Sequence, residues 1–329
     1  MHERATILLH SYPRRTGIVL GFCLLCLILI PVLIENNYLL HIMIMMFFYG
    51  YLSVSWNILA GYAGQLSIGH SAFLGVGSYT LAFLFIYYRI SPWIGIWIGG
   101  IIGTFVGLLI GIITFRWRLK EIYFALATLA FSIILGIIVR NWMLFGGSVG
   151  LVIPWEGTLY SLQFKSKAIY YYMILGMVIC SIIIVFFLKQ SKLGYYFMCV
   201  RENEEVAMSL GINILRTKLK AIGISSFLTA IAGGFHAIYF LHTNPDEDFG
   251  IMLSIAAIMP AILGGMGTIL GPIIGSFILT PLNEVGLEFL SGGKFSGLHM
   301  VVYGSLLILT IIYMPRGVIY YLSSIFRGK

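Results

Sequence analysis

Residues 61–80 read GYAGQLSIGHSAFLGVGSYT. Glycine, serine and alanine, with one glutamine and one histidine, interrupt a chain whose flanks are long apolar runs. What such a stretch is for depends on the solvent around it. Of 329 residues, 60% are hydrophobic and 10% charged, and the mean hydropathy is +0.98. An average soluble domain is about 25% charged. Apolar runs of about 20 residues recur along the chain, the length a helix needs to cross a hydrocarbon core about 30 Å thick. Period-two alternation is absent, which argues against a membrane barrel. The expected fold is an all-α, polytopic transmembrane helix bundle.

The apolar pattern predicts ten spans, with eight to eleven tolerated: 16–34, 38–59, 69–88, 93–115, 121–139, 168–188, 220–242, 250–266, 271–290 and 297–314. Glycine-rich sequence at 61–77 and 261–275 leaves broken or re-entrant helix as an alternative there. A basic leader precedes the first apolar run, but no small-x-small cleavage site follows "PVLIENN", so an uncleaved first helix is expected. With the N-terminus cytoplasmic, the inner segments hold Arg4, Arg14, Arg15, Arg116, Arg118, Lys120, Lys189, Lys192, Arg201, Arg216, Lys218, Lys220, Arg316, Arg327 and Lys329. Arg89, Arg140, Lys165, Lys167 and Lys294 fall on the opposite side, with the acidic run Asp246, Glu247, Asp248. Both termini are therefore expected in the cytoplasm. The +8 formal charge follows from this asymmetry, so no nucleic-acid partner is inferred; the basic residues adjoin membrane lipid.

In a membrane, the opening stretch has two readings. Ser67, Ser71 and Gly75 recur every four residues and would line one helix face, allowing close approach of a neighbouring backbone. Tight packing explains the small residues alone. Gln65, Ser67 and His70 add polar groups that are costly in lipid and favour a bundle interior or wet cavity, so Gln65, Ser67, His70, Ser71 and Gly75 form a candidate translocation path.

The longest predicted cytoplasmic loop, 189–219, contains GYYFMCVRENEEVAMSLGINILRTKLKA. Asn203 suits an N-cap, Glu204 and Glu205 suit the first helical turn, and Gly211 suits a left-handed C-terminal cap. A short exposed helix between two spans is predicted, which a solvated connector would also explain. Cys23 and Cys26 form a C-x-x-C inside an apolar run with no second ligand pair, and Cys180 and Cys199 stand apart, so no metal or redox site is expected. His41, His236 and His299 are expected to be hydrogen-bonded packing residues. The only Gly-Lys pairs are Gly293-Lys294 and Gly328-Lys329, and neither continues into a P-loop. No catalytic constellation is present, and no cofactor of the chain's own is expected.

The 61–80 block resembles the glycine-rich block of the branched-chain amino acid ABC transporter permeases, of the LivM type in the LivH/LivM pair. EIYFALATLAFSIILGIIVRNW with FGGSVGL, VRENEEVAMSLGINILRTKLKAIGIS and GGMGTILGPIIGSFIL are similar to further blocks of that family, so the blocks are spread over residues 61–276 and the similarity spans most of the chain. Glu205, Val206, Ala207 and Gly211 resemble the E-A-A-x-x-x-G start of the coupling motif shared by many ABC importer permeases, with Val206 in place of the first alanine and no I-x-L-P counterpart at the expected spacing after Gly211.

The resemblance implies one permease domain over 1–329, a subunit of an importer without its own ATPase site. It also implies a LivH-like second permease, two ABC ATP-binding subunits that bind the ATP, and an extracytoplasmic substrate-binding protein. The location implied is a bacterial or archaeal cytoplasmic membrane. Asn203, Glu204, Glu205, Ala207 and Gly211 would form the coupling helix to the ATPase. The cargo implied is a branched-chain or other aliphatic amino acid, with urea or short-chain amides as the family alternative. An ion-coupled secondary transporter with paired broken helices remains a different class, hinted at by the echo of GYAGQLSIG at 61 in GGMGTILGP at 264 and by Glu284 and Glu288. A membrane scaffold would explain neither the polar face nor the loop.

Overall fold

The computed structural model describes residues 25–31, 36–117, 121–290, 304–305 and 317–321, of which 285–290 by backbone alone. The remainder of the first expected span, the 297–314 span, Cys23, His299, Gly293-Lys294, Gly328-Lys329 and the Glu288 side chain lie outside the described residues.

Helix α1 (Asn37–Asn57) continues through a π turn (Ile58–Tyr62) and is followed by α2 (Ser71–Tyr88), α3 (Pro92–Arg116), α4 (Glu121–Asn141) and α5 (Lys167–Gln190). Two helices occupy the loop: α6 (Lys192–Glu202) and α7 (Glu204–Ser209). The chain then forms α8 (Ile214–Phe240), the turn-length α9 (Pro245–Asp248), α10 (Ile251–Gly264) and α11 (Gly271–Leu290). A two-residue ribbon pairs β1 (Leu151–Val152) antiparallel with β2 (His242–Thr243). Among the described residues, seven helical stretches are long and apolar enough to cross a membrane: α1 with its π turn, α2, α3, α4, α5, α8, and α9 with α10.

Side-chain caps start these helices where sequence supplies them. Asn36 accepts from Tyr38 N (2.9 Å), Ser166 from Ala168 N (3.3 Å) and Asn213 from Arg216 N (3.0 Å), while Pro92 opens α3. The Asn213 cap corrects the expected 220–242 span. Arg216, Lys218 and Lys220 are its first turns, since a helix need not stop where it leaves the hydrocarbon.

Contacts at the helix ends sort the chain into two poles. At one, Arg89 pairs with Glu156, Arg140 pairs with Asp246, and Lys167 Nζ lies 3.4 Å from Asn37 O. At the other, Arg201 Nη1 donates to Gly61 O (2.7 Å), Lys218 Nζ meets Glu204 Oε1 (2.6 Å), and Lys218 lies over the Phe115 ring (5.4 Å to its centroid). The loop at 142–166 and the loop at 191–213 therefore lie at opposite ends, as the basic-residue pattern requires.

Within the bundle, 83% of the apolar stretch of α1 and 78% of that of α8 is buried in this chain, against 33% for α3, α4 and α5. Hence α1 and α8 are central, and the other three present broad apolar faces outward. Small residues bring α2, α8 and α3 together. A Cβ at Gly77 would lie 2.0 Å from Ala230 O and one at Gly233 2.1 Å from Leu74 O, so backbone meets backbone. Gly103 and Gly107 of α3 face the side chains of Ala230 and Ser226 as closely. In lipid, where apolar burial drives helices together weakly, such close van der Waals approach is a main source of association.

Both glycine-rich stretches are breaks. After Tyr62 the chain runs non-helically over 63–70, with Gly64 at φ +71°, and 265–270 interrupt α10 and α11 with Gly265 and Gly267 at φ +124° and +75°. The expected span at 69–88 thus begins as a helix only at Ser71. Ser67 lies outside α2 and does not share its face with Ser71 and Gly75.

Candidate functional site

Non-helical backbone inside a membrane domain must satisfy its polar groups within the protein. Residues 63–70 do so through neighbouring helices. Trp56 Nε1 donates to Ser67 O (2.7 Å), and Ile68 N and Gly69 N donate to Thr128 Oγ1 (3.2 and 3.3 Å). Gly69 has no room for a Cβ, which would sit 1.9 Å from Thr128 O.

The candidate path residues lie along this break and the start of α2, and all are buried. His70, 1% exposed, lies between Ser67 Oγ (3.0 Å from Nδ1) and Ser225 Oγ (2.8 Å from Nε2). Ser225 donates its own proton to Ser55 O (2.7 Å), so it accepts from His70 Nε2–H, which leaves Nδ1 to accept from Ser67. Ser71 joins four elements. Its N–H donates to Ser254 Oγ (2.9 Å), and its hydroxyl bonds Ser254 Oγ and Ser132 Oγ (both 2.8 Å) and Phe249 O (3.2 Å). Gly75 backs onto the buried Phe249 ring, 2.6 Å from where a Cβ would sit.

Gln65 is 2% exposed; its Nε2 reaches Ala63 O at 3.4 Å, and its Oε1 has no partner. Ser67 and His70 thus bond into one cluster with Ser225 of α8 and Ser55 of α1, and Ser71 into a second with Ser132 of α4 and Ser254 of α10; the two adjoin at the start of α2 as one polar seam. In this conformation it is closed, the groups of each cluster bonded to one another.

A polar group of interest was not recognised from the sequence. Asp248, expected in a solvent-facing acidic run, is 1% exposed: Ser78 Oγ donates to its Oδ2 (2.7 Å), and its Oδ1 faces His236 Nδ1 at 3.4 Å. Proline at 245 starts a single turn that carries Asp248 inward while Asp246 stays out to pair with Arg140. His236 meanwhile stacks on Phe48. Asp248→Ala is expected to destabilise the purified protein by an amount on the order of 1 kcal/mol per lost bond. Asp248→Asn retains an acceptor for Ser78 and adds a donor for His236, so its thermal midpoint should stay near native. Equal losses in both variants would show that the charge itself is required.

The second candidate group forms the pole opposite Asp248. Asn203 Oδ1 accepts from Glu205 N (2.9 Å) and Val206 N (3.1 Å), Glu204 holds Lys218, Glu205 is exposed, and Gly211 leaves α7 at φ +80°. Ala207 is 1% exposed, whereas Val206 and Leu210 are 56% and 69% exposed. The valine that departs from the coupling pattern thus sits on the free face, and the alanine that matches it packs inward. Between α6 and α7 is a groove of about 320 Å³ whose walls include Tyr195, Met198, Cys199, Val206 and Leu210.

A family signature described as the permease component of the branched-chain amino acid transport system matches residues 38–311. The chain belongs to this family. It is a multi-pass membrane permease component. It is 28% identical over 292 residues to the high-affinity branched-chain amino acid transport system permease protein LivM of Escherichia coli (strain K12), covering 82% of this chain and 67% of that one. The probable branched-chain amino acid transport permease protein LivM of Methanocaldococcus jannaschii is 24% identical over 213 residues, 61% of each chain. The permease protein LivH of the same Escherichia coli strain is 31% identical over 133 residues, 40% of this chain and 41% of that one. No solved structure matches the chain. In this permease component the two candidate groups occupy distinct places: a closed polar seam inside the bundle, and at the opposite pole from Asp248 a short capped helix that exposes Val206 and Leu210 beside Glu205.

Proposed function

We propose that this chain is one of two permease subunits of an ABC importer for branched-chain or other aliphatic amino acids, in a bacterial or archaeal cytoplasmic membrane. A LivH-like second permease completes the translocation unit, two ATP-binding subunits drive it, and an extracytoplasmic binding protein delivers cargo. Ten spans with both termini cytoplasmic place α6 and α7 inside the cell and the 142–166 loop outside.

The observation that carries this reading is α7. A membrane domain that exposes a capped, glycine-terminated helix with valine and leucine outward on its basic pole offers an apolar docking face to a soluble partner. Asn203, Glu204, Glu205, Ala207 and Gly211 are its coupling elements. Alternating access then consists of the ATPase dimer displacing α7 and of the bundle exchanging the internal bonds of the seam for bonds to water or cargo. Gln65, Ser67, His70, Ser71 and Gly75 mark where that seam opens.

The test is uptake into vesicles containing the reconstituted four-subunit complex, with leucine, isoleucine and valine set against urea and acetamide. ATP-dependent accumulation of the amino acids is expected. Accumulation driven by an ion gradient without ATP would overturn the reading, and selective amide uptake would reassign the cargo. Gln65→Leu and His70→Leu should lower uptake at native complex yield; unchanged uptake in both would leave the seam as packing alone.

A further inference from the structure

We propose that Arg201 is the positioning residue that transmits movement of α7 to both glycine breaks, an inference that rests on the coupling role proposed for that helix. Arg201 is in the last turn of α6, and Asn203 alone separates α6 from α7. Its Nη1 donates to Gly61 O (2.7 Å), a carbonyl at the end of the α1 π turn where the helix has run out of backbone donors. Its Nε and Nη2 donate to Glu202 Oε1 (3.2 and 2.6 Å), on the solvent side of the guanidinium.

Both breaks are built around this side chain. A Cβ on Gly64 would lie 2.8 Å from Arg201 Cγ, and one on Gly267 would lie 3.0 Å from Arg201 Nη1. Asn57 ties the breaks together: its Oδ1 accepts from Gly267 N and its Nδ2 donates to Thr268 O, both at 2.8 Å. The two glycine-rich stretches that echo one another in sequence thus meet at one guanidinium.

A further link from α7, Glu204 to Lys218, ends on α8, an unbroken 27-residue helix buried in the bundle centre. A straight, packed helix moves as a body, whereas the backbone at 63–70 and 265–270 lacks helical bonding and can re-aim α2 and α11 with small φ/ψ changes. Displacement of α7 therefore reaches the start of α2, where Ser71 anchors the seam, by way of Arg201.

The experiment uses the complete complex in vesicles with its binding protein. Arg201→Met should assemble at native yield and keep basal ATP hydrolysis within about twofold. It should lose the stimulation given by cargo-loaded binding protein and lower uptake at least about tenfold. Arg201→Lys, which keeps one donor, should fall between. Arg201→Gln, which keeps a neutral donor in the same space, should also reduce stimulation and tests the link if Arg201→Met does not assemble. Native stimulation and uptake in Arg201→Met, or in both Arg201→Lys and Arg201→Gln, would overturn the proposal.

A cargo-independent readout separates this result from the choice of transporter class. Leu66 and Met266, exposed residues of the two breaks, carry spin labels in a background lacking other cysteines. The distance between them should change on trapping with ATP and vanadate, and Arg201→Met should abolish the change. A change that persists in Arg201→Met refutes the role of Arg201 whatever the cargo. Absence of ATP-driven uptake by the native complex refutes the proposed function instead.

Discussion

Replacing Val206 and Leu210 together by aspartate is expected to lower ATP-driven uptake at least about a hundredfold, with the permease still inserted and paired. The two side chains are exposed on the free face of α7, and neither holds the fold there. The helix itself should persist, because its cap is the Asn203 side chain and its exit is Gly211 at φ +80°. The loss would fall on the partner: an apolar groove that accepted valine and leucine would have to bury two unpaired carboxylates, which costs several kcal/mol. Co-purification of the ATP-binding subunits should fail in parallel with uptake. Retention of those subunits at native stoichiometry would place their docking site elsewhere. Ala207 is a poor substitute for this test, since it is buried and a change there would disturb α7 itself.

Gly77→Leu is expected to abolish recovery of folded protein, while Gly176→Leu should leave it unchanged. Both substitutions raise hydrophobicity in an apolar helix, so membrane insertion favours them alike. Only the surroundings differ. A Cβ at Gly77 would lie 2.0, 2.6 and 2.8 Å from O, C and Cα of Ala230, all backbone, whereas one at Gly176 would have nothing within 4 Å. α3 packs into the same corner, with Gly103 against Ala230, Gly107 against Ser226 and Gly99 against Gly77 O, so a larger side chain at 77 meets backbone with no open space beside it. Overpacking of a rigid contact costs about 1–3 kcal/mol or more, and here two helix axes must part. Size-exclusion profiles of the two detergent-extracted variants decide it. A monodisperse Gly77→Leu protein at native yield would show that α2 and α8 are not locked together by that contact.

The polar seam shows where linear pattern and tertiary structure diverge. The i, i+4 spacing of Ser67, Ser71 and Gly75 predicts a common helix face. Yet residues 63–70 are not helical, and Ser67 reaches the seam through His70. The period misleads because it presumes continuous helix, and the break is stabilised by groups on other helices, Thr128 on α4, about 60 positions away, among them. For Asp248 the failure is similar. Three consecutive acidic residues look solvent-facing together, but a single turn after Pro245 sends Asp248 in and leaves Asp246 and Glu247 out.

The sequence by itself determined the membrane solvent, the helical class, the long apolar helices seen among the described residues and the short capped helix in the 189–219 loop. These follow from local or summed quantities: apolar run length and side-chain caps. It also marked 61–77 and 261–275 as possible breaks, because glycine density is local. Only the tertiary structure decided that the two breaks touch, that Asn57 and Arg201 join them, that Val206 faces out while Ala207 faces in, and that Asp248 is buried against Ser78 and His236. Each depends on how helices rotate and approach, and in a membrane that is set by matching small residues against backbone on distant segments, a complementarity that hydropathy does not encode.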